Sequence, residues 1–170
     1  MARSGGRWSE ITLHHSGSDD PDRSDGRSDT PRGITLDELR HEHVSVNGWS
    51  DIGYHFLISN GYNLDGDPTD EAPDGAILEG RSLDFVGAHV RDRNRGRIGV
   101  CLAGNFEDMY PTKRQLASLL RLLKDLRERF GDLPLRPHCA VNIRPTACPG
   151  RNLLAIMFER ELFAPDVEIS

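Results

Sequence analysis

The sequence predicts an α/β fold: a single domain over residues 1–170, core about 8–163, with a central mixed β-sheet flanked by helices. Three observations predict it. Short β-branched and apolar runs alternate with longer segments of helical periodicity. Two of the helical segments open on a threonine cap. A chain of 170 residues is long enough to bury a substantial core as one domain.

The elements follow in order. EITLHHS, from Glu10 to Ser16, has a β-favouring centre and polar ends, and predicts a strand whose C-terminal end carries His14 and His15. Residues 17–33 are rich in Gly, Asp, Ser and Pro and read as a long mobile loop. Thr35 with Glu38 three residues on forms a capping box, and Leu36, Leu39, Val44 and Val46 supply an apolar stripe. That helix is expected to end near Asn47-Gly48, with His41 and His43 exposed to solvent. IGYHFLIS, from Ile52 to Ser59, is apolar almost throughout and predicts a strand buried on both faces. An acidic loop over 60–75 leads to a short strand at AILEGR, and RIGVCLAG, from Arg97 to Gly104, predicts another strand. PTKRQLASLLRLLKDLRERFG is the strongest helix signal. Thr112 caps it, Leu116, Leu119, Leu120, Leu123 and Leu126 form the stripe, and Gly131 ends it. A last helix follows Pro149 with Leu153, Leu154, Ile156, Met157 and Phe158.

Composition narrows the function classes. The net charge of −6 argues against a nucleic-acid backbone as the partner. The chain contains no run of about 18 apolar residues, so no membrane span is expected. The N-terminal stretch has no apolar leader core, so synthesis in the cytoplasm is the expectation. Cys101, Cys139 and Cys148 are an odd set, which suits metal or core roles better than a disulfide framework.

One short stretch, HCAVNIRPTACPG from His138 to Gly150, puts a histidine and a cysteine on one irregular segment. Imidazole and thiolate are zinc's preferred ligands, and a catalytic zinc takes three protein ligands. The strand end at His14-His15 is the natural source of a third. Spacing alone is a weak signal that leaves an ordinary buried loop open, since seven histidines make chance pairings easy, and strand alternation lets only one of the two histidines face the site.

Several segments then occur in a fixed order: TLHHS, GWSDIGYHFLI, LEGRSLDFVGAHVRDRN, IGVCLAGNF, PTKRQLASLLRLL and RPHCAVNIRPTACPG. Together they resemble the type-2 N-acetylmuramoyl-L-alanine amidases, the family shared with phage amidase-lysozymes and animal peptidoglycan recognition proteins. The resemblance spans nearly the whole chain. It implies a zinc (Zn2+) site in a surface groove, with His14, His138 and Cys148 as ligands, His14 being preferred to His15 by the family pattern. It implies hydrolysis of the amide between the N-acetylmuramoyl lactyl group and L-alanine, with peptidoglycan or muropeptides as substrate. Tyr54 matches the active-site tyrosine and Thr146 a position held by lysine or threonine. His89 and Asn94 match positions lining the substrate groove. Some phage members also bind the phage RNA polymerase, so that partner is a further implication.

The resemblance leaves a non-catalytic peptidoglycan-binding module or a cytosolic muropeptide-recycling amidase as alternatives to an endolysin released by a holin. Retention of all three ligands with Tyr54 favours catalysis. One departure stands out. Many phage and animal members place the histidine two residues nearer the cysteine. The longer spacing here is that of bacterial muropeptide amidases, which use aspartate in place of Cys148.

Of the remaining residues, His55 reads as a structural histidine facing away from Tyr54, and Cys101 as a small core residue.

Overall fold

The computed structural model describes residues 1–5, 8–17 and 32–167. Most of the loop expected over 17–33 lies outside the described residues. The strands are β1 (Glu10–His15), β2 (Phe56–Ile58), β3 (Ile77–Glu79), β4 (Arg97–Leu102) and β5 (Leu135–Pro137). They form one sheet in the order β3-β2-β4-β1-β5, parallel throughout except for the antiparallel pair β2 and β3. The helices are α1 (Leu36–Arg40), which runs into a π-helical turn at His41–Val46, then α2 (Lys113–Phe130), α3 (His138–Val141) and α4 (Arg151–Glu159). Among the described residues, no helix is long and apolar enough to cross a membrane.

Alternation along the strands divides the sheet into two unlike faces. Ile11, Leu13, Phe56, Ile58, Ile98, Val100 and Leu102 share one face, and they pack with Leu119, Leu123, Leu126, Leu153 and Met157 from α2 and α4. The other face carries Thr12, His14, Leu57, Gly99 and Cys101. A small apolar cluster including Ile34, Leu39 and Ile52 packs on it. Register sets His14 beside Cys101 and Cys101 beside Leu57, so His14 stands in a buried row on that face.

Several sequence expectations shift. The helical stripe of α2 turns slightly: Leu122 is buried, while Leu120 is 38% exposed. In the first helix, the wider π turn moves the inward face, so His43 is buried where Val44 and Val46 were expected. His43 is therefore not solvated; its Nδ1 accepts the Gly53 N–H at 3.0 Å. The strand expected over Ile52–Ser59 is only three residues long. Side chains take the backbone groups that a longer ladder would use: His43 takes Gly53 N, and Arg81 takes the Ile52 and Asp51 carbonyls. Sequence reading left Leu135–Pro137 without a strand and His138–Val141 without a helix. At the sheet edge, β5 pairs only with β1, so Pro137 needs no donor on its outer side.

Gln115 ties α2 to the sheet. It is fully buried, and its Nε2 donates to the carbonyls of Ile58 at 3.1 Å and Ala103 at 2.8 Å. Its Oε1 accepts the Thr112 N–H, closing the capping box at 3.1 Å. Gln115→Met keeps the volume and removes every one of these bonds. The Ile58 carbonyl keeps the Ala103 N–H at 2.9 Å, so the Ala103 carbonyl and the Thr112 N–H lose their partner, at about 1–3 kcal/mol for a buried group and less for one near the surface. The variant is expected to lose about 2–4 kcal/mol in urea unfolding, with an unchanged m-value; a loss below about 0.5 kcal/mol contradicts this role for Gln115.

Candidate active site

Two segments far apart in sequence meet at the C-terminal end of β1. His14 is the fifth residue of that strand and is 1% exposed. Pairing of β5 to β1 sets Pro137 opposite Leu13, so His138, the next residue, emerges beside His14 with ring centroids 4.4 Å apart. The chain makes one turn of α3 and returns. The Cys139 N–H donates to the Cys148 carbonyl at 2.9 Å, which closes the loop and presents Cys148 to the two histidines. The extra length of this loop therefore does not separate the ligands.

One atom each from His14, His138 and Cys148 lies within 4.8 Å of the others, a group that could hold a metal ion. His14 Nδ1 is 3.7 Å from Cys148 Sγ. Ligands on a tetrahedral zinc are roughly 3.5 Å apart at ordinary bond lengths. Nδ1 of His138 is buried and has no hydrogen-bond partner among the described residues, as suits a nitrogen that takes a ligand. The Cys148 sulfur receives the His15 N–H at 3.4 Å, a contact that favours thiolate. The donor set and its orphaned nitrogen fit zinc.

The electrostatics agree with ligation, which needs neutral imidazoles. Burial, reinforced by the neighbouring His89, His138 and His15, holds His14 well below the ordinary histidine value. Burial lowers His138 to about 4, against the raising effect of a hydrogen bond it donates to the Asn142 side chain. His15 points the other way from His14, and its Nδ1 accepts the Phe106 N–H at 3.1 Å. The expected preference for His14 over His15 thus has a geometric reason.

Tyr54 lies on the irregular segment before β2, its ring centroid 5.0 Å from that of His14. Burial first, then the nearby Cys101, Cys148 and Glu42, raises its phenol well above the ordinary value of 10.0, so it stays protonated. Thr146 Oγ1 accepts the Cys148 N–H at 3.2 Å, which steadies the cysteine and leaves the hydroxyl proton free to donate. His89 is buried and Asn94 half-buried on the segment beside His14. His89 is 8% exposed, with Nδ1 3.0 Å from His14 Nε2 and Nε2 3.3 Å from the Arg97 carbonyl. Asn94 spends its carboxamide oxygen on the N–H groups of His89 and Val90, both at 2.7 Å. A cavity of about 240 Å³ borders the closed loop, lined by Arg91, Asp92, Asn142, Ile143 and Arg144.

Sequence reasoning did not single out Arg81. It is 5% exposed and donates to three carbonyls, Ile52 at 2.7 Å, Val86 at 2.8 Å and Asp51 at 3.0 Å. It ties the segment carrying Tyr54 to the one carrying His89. Its signal was present in LEGR: a lone arginine after glycine, following a short strand. His55 holds the same region, bridging the Gly99 N–H and the Phe85 carbonyl as a buried structural histidine should.

A sheet of this topology carries, at the end of an interior parallel strand, a His-His-Cys cluster that could hold a metal ion. The N-acetylmuramoyl-L-alanine amidase family model matches residues 4–151, and the chain belongs to that family. It is 33% identical over 138 residues to the endolysin of Escherichia phage T7, covering 78% of this chain and 81% of that protein. It is 35% identical over 123 residues to an N-acetylmuramoyl-L-alanine amidase of Sus scrofa, 70% of this chain and 18% of that longer protein. Among solved structures, the amidase LysC from Clostridium intestinale matches with a TM-score of 0.68 at 27% identity, covering 92% of this chain and 87% of that one. Drosophila PGRP-LB shares the fold, with a TM-score of 0.72 at 22% identity over 99% of this chain and 93% of that one.

The four buried histidines give a pH prediction, His43 too being held below its ordinary value chiefly by burial. His14 is held well below 6.5, His55 at about 4 and His89 at about 3, all chiefly by burial. Unfolded, each takes up a proton near 6.5; folded, each resists it. Stability is therefore full above about pH 6.5 and falls as pH drops toward about 4, by about 1.4 kcal/mol per pH unit for each histidine. Urea unfolding of zinc-free protein at pH 7, 6 and 5 measures this slope; a flat profile is the contrary result.

Proposed function

We propose that this family member cleaves the amide between the lactyl carbonyl of N-acetylmuramic acid and L-alanine in peptidoglycan. In this reading His14, His138 and Cys148 hold one zinc ion. The observation that carries the reading is the convergence of these three donors, one of them an orphaned buried nitrogen, beside a protonated phenol. When bound, zinc supplies Lewis acidity that polarises a carbonyl and brings a water pKa toward about 7.

The chain's own residues do the rest. Tyr54 cannot ionise at working pH, so it acts as a hydrogen-bond donor to the oxygen on which negative charge develops, not as a base. Thr146 holds the cysteine backbone and offers one neutral donor in place of a charged lysine, so charge stabilisation leans on the ion and on Tyr54. The amide nitrogen leaves as the amino group of L-alanine, and the products are a glycan strand and a free stem peptide. Arg91 and Arg144 at the flanking cavity suit the carboxylates of a stem peptide. Phage endolysins that match over four-fifths of their length support a wall-degrading role.

The test is incubation of purified protein with peptidoglycan, followed by mass spectrometry for stem peptides beginning at L-alanine. Release that is abolished by a chelator, restored by zinc and absent in Cys148→Ala is the expected result. A zinc-loaded protein that binds the wall and releases nothing would make the chain a binding module. Faster cleavage of soluble muropeptides than of intact sacculi would favour a recycling role instead. Tyr54→Phe is expected to lower kcat by about 10²–10³ with KM little changed, as measured by steady-state kinetics on a soluble muropeptide.

A further inference from the structure

We infer that His89 is a positioning residue for the metal ligand His14: through two hydrogen bonds in series it fixes which nitrogen of His14 carries the proton and which faces the ion. The inference rests on the zinc reading above. It assigns His89 to the metal site, in place of the contact with sugar or peptide that the family resemblance implied.

The assignment starts from the far end of the chain of bonds. A backbone carbonyl only accepts hydrogen bonds. The Arg97 carbonyl lies 3.3 Å from His89 Nε2, so that nitrogen carries the proton. Neutral His89 then has a bare Nδ1, an acceptor, at 3.0 Å from His14 Nε2. Such an acceptor requires the proton of His14 on Nε2. A neutral His14 has one proton to place, so its Nδ1 is left with an open lone pair. That is the nitrogen 3.7 Å from Cys148 Sγ, on the side where the three donors converge. One carbonyl oxygen on β4 thus sets the ligand atom of β1 by way of a single intervening ring.

The surroundings are built to hold that ring. At Gly99, which neighbours Thr12 across the sheet, a Cβ would lie 2.5 Å from His89 Cδ2. At Gly87, two residues before the histidine, a Cβ would lie at the same distance from the same atom. Asn94 fixes the backbone from outside by accepting two successive N–H groups. Arg81 binds the Val86 carbonyl just upstream. Both ring nitrogens of His89 are engaged and the residue is 8% exposed, so no donor remains for a ligand in the groove. Partners of this kind orient a metal-bound imidazole and raise its basicity, and their loss typically costs 10–100-fold in metal affinity.

The experiment uses the full-length protein, with nitrogen-15 histidine NMR on the zinc-free form and zinc affinity measured by competition with a chromogenic chelator. The expected spectrum shows His14 protonated at Nε2 and His89 protonated at Nε2. His89→Phe preserves ring volume but has no acceptor; it is expected to weaken zinc binding by about 10–100-fold. His89→Asn restores an acceptor oxygen near the Nδ1 position and is expected to recover part of that loss. Circular dichroism and thermal melting establish that each variant is folded. A wild-type spectrum with the His14 proton on Nδ1 overturns the inference, and so does a folded His89→Phe protein with wild-type zinc affinity. The wild-type spectrum gives its answer even if both variants fail to fold. Failure of the wild-type protein to take up zinc would sink the zinc reading separately, since the tautomers are read without metal.

Discussion

The pairing of β5 to β1 is the interaction on which the site depends. It is only three residues long, yet it brings His138 next to His14 across more than a hundred residues of chain. A slip of one residue would turn His138 to the opposite face, because side chains alternate along a strand. The register is protected by burial on β1 itself: Ile11 and Leu13 are fully buried under α2 and α4, and they cannot move outward without emptying that core. Apolar packing on one side of the sheet thereby fixes polar geometry on the other. Closure of the 139–148 segment by one backbone bond completes the arrangement and delivers the cysteine.

The two faces divide the work. One is filled by leucines from two helices, and its residues are interchangeable in kind if volume is kept. The other holds a layer of imidazoles, each with a named partner: His14 on His89, His89 on the Arg97 carbonyl, His55 between Gly99 and Phe85, His43 on Gly53. Buried polar groups without partners are costly, and a layer such as this one tolerates few substitutions because each ring holds a buried partner. Thr12, on the same face, is the exception, with a buried hydroxyl that has no partner among the described residues.

Much of this was legible in the sequence. The fold class, four of the strands and the long helix with its capping box could be read from patterning, and the grouping of His14, His138 and Cys148 from the order of motifs. The parts that were not legible have definite causes. Leu135–Pro137 is too short and too proline-marked to announce a strand; it exists because β1 offers it an edge. His43 looked solvated because the helix was given a regular turn, and a single π turn moved the inward face. His89 was assigned to the groove by analogy. Its burial depends on two glycines, one of them on another strand, and no local pattern reports that juxtaposition. Arg81 was passed over because arginines are seldom buried, and its three partners are all backbone carbonyls invisible in a residue string.

Both borders of the sheet are strands of three residues, Ile77–Glu79 on one side and Leu135–Pro137 on the other. One ends in a charged glutamate, and the other contains a residue that cannot donate. A foreign strand seeking to add to this sheet finds almost no unpaired ladder to copy. The chain is thus guarded against joining its neighbours edge to edge in crowded solution, and the short β5 that aligns the histidines also serves as that guard.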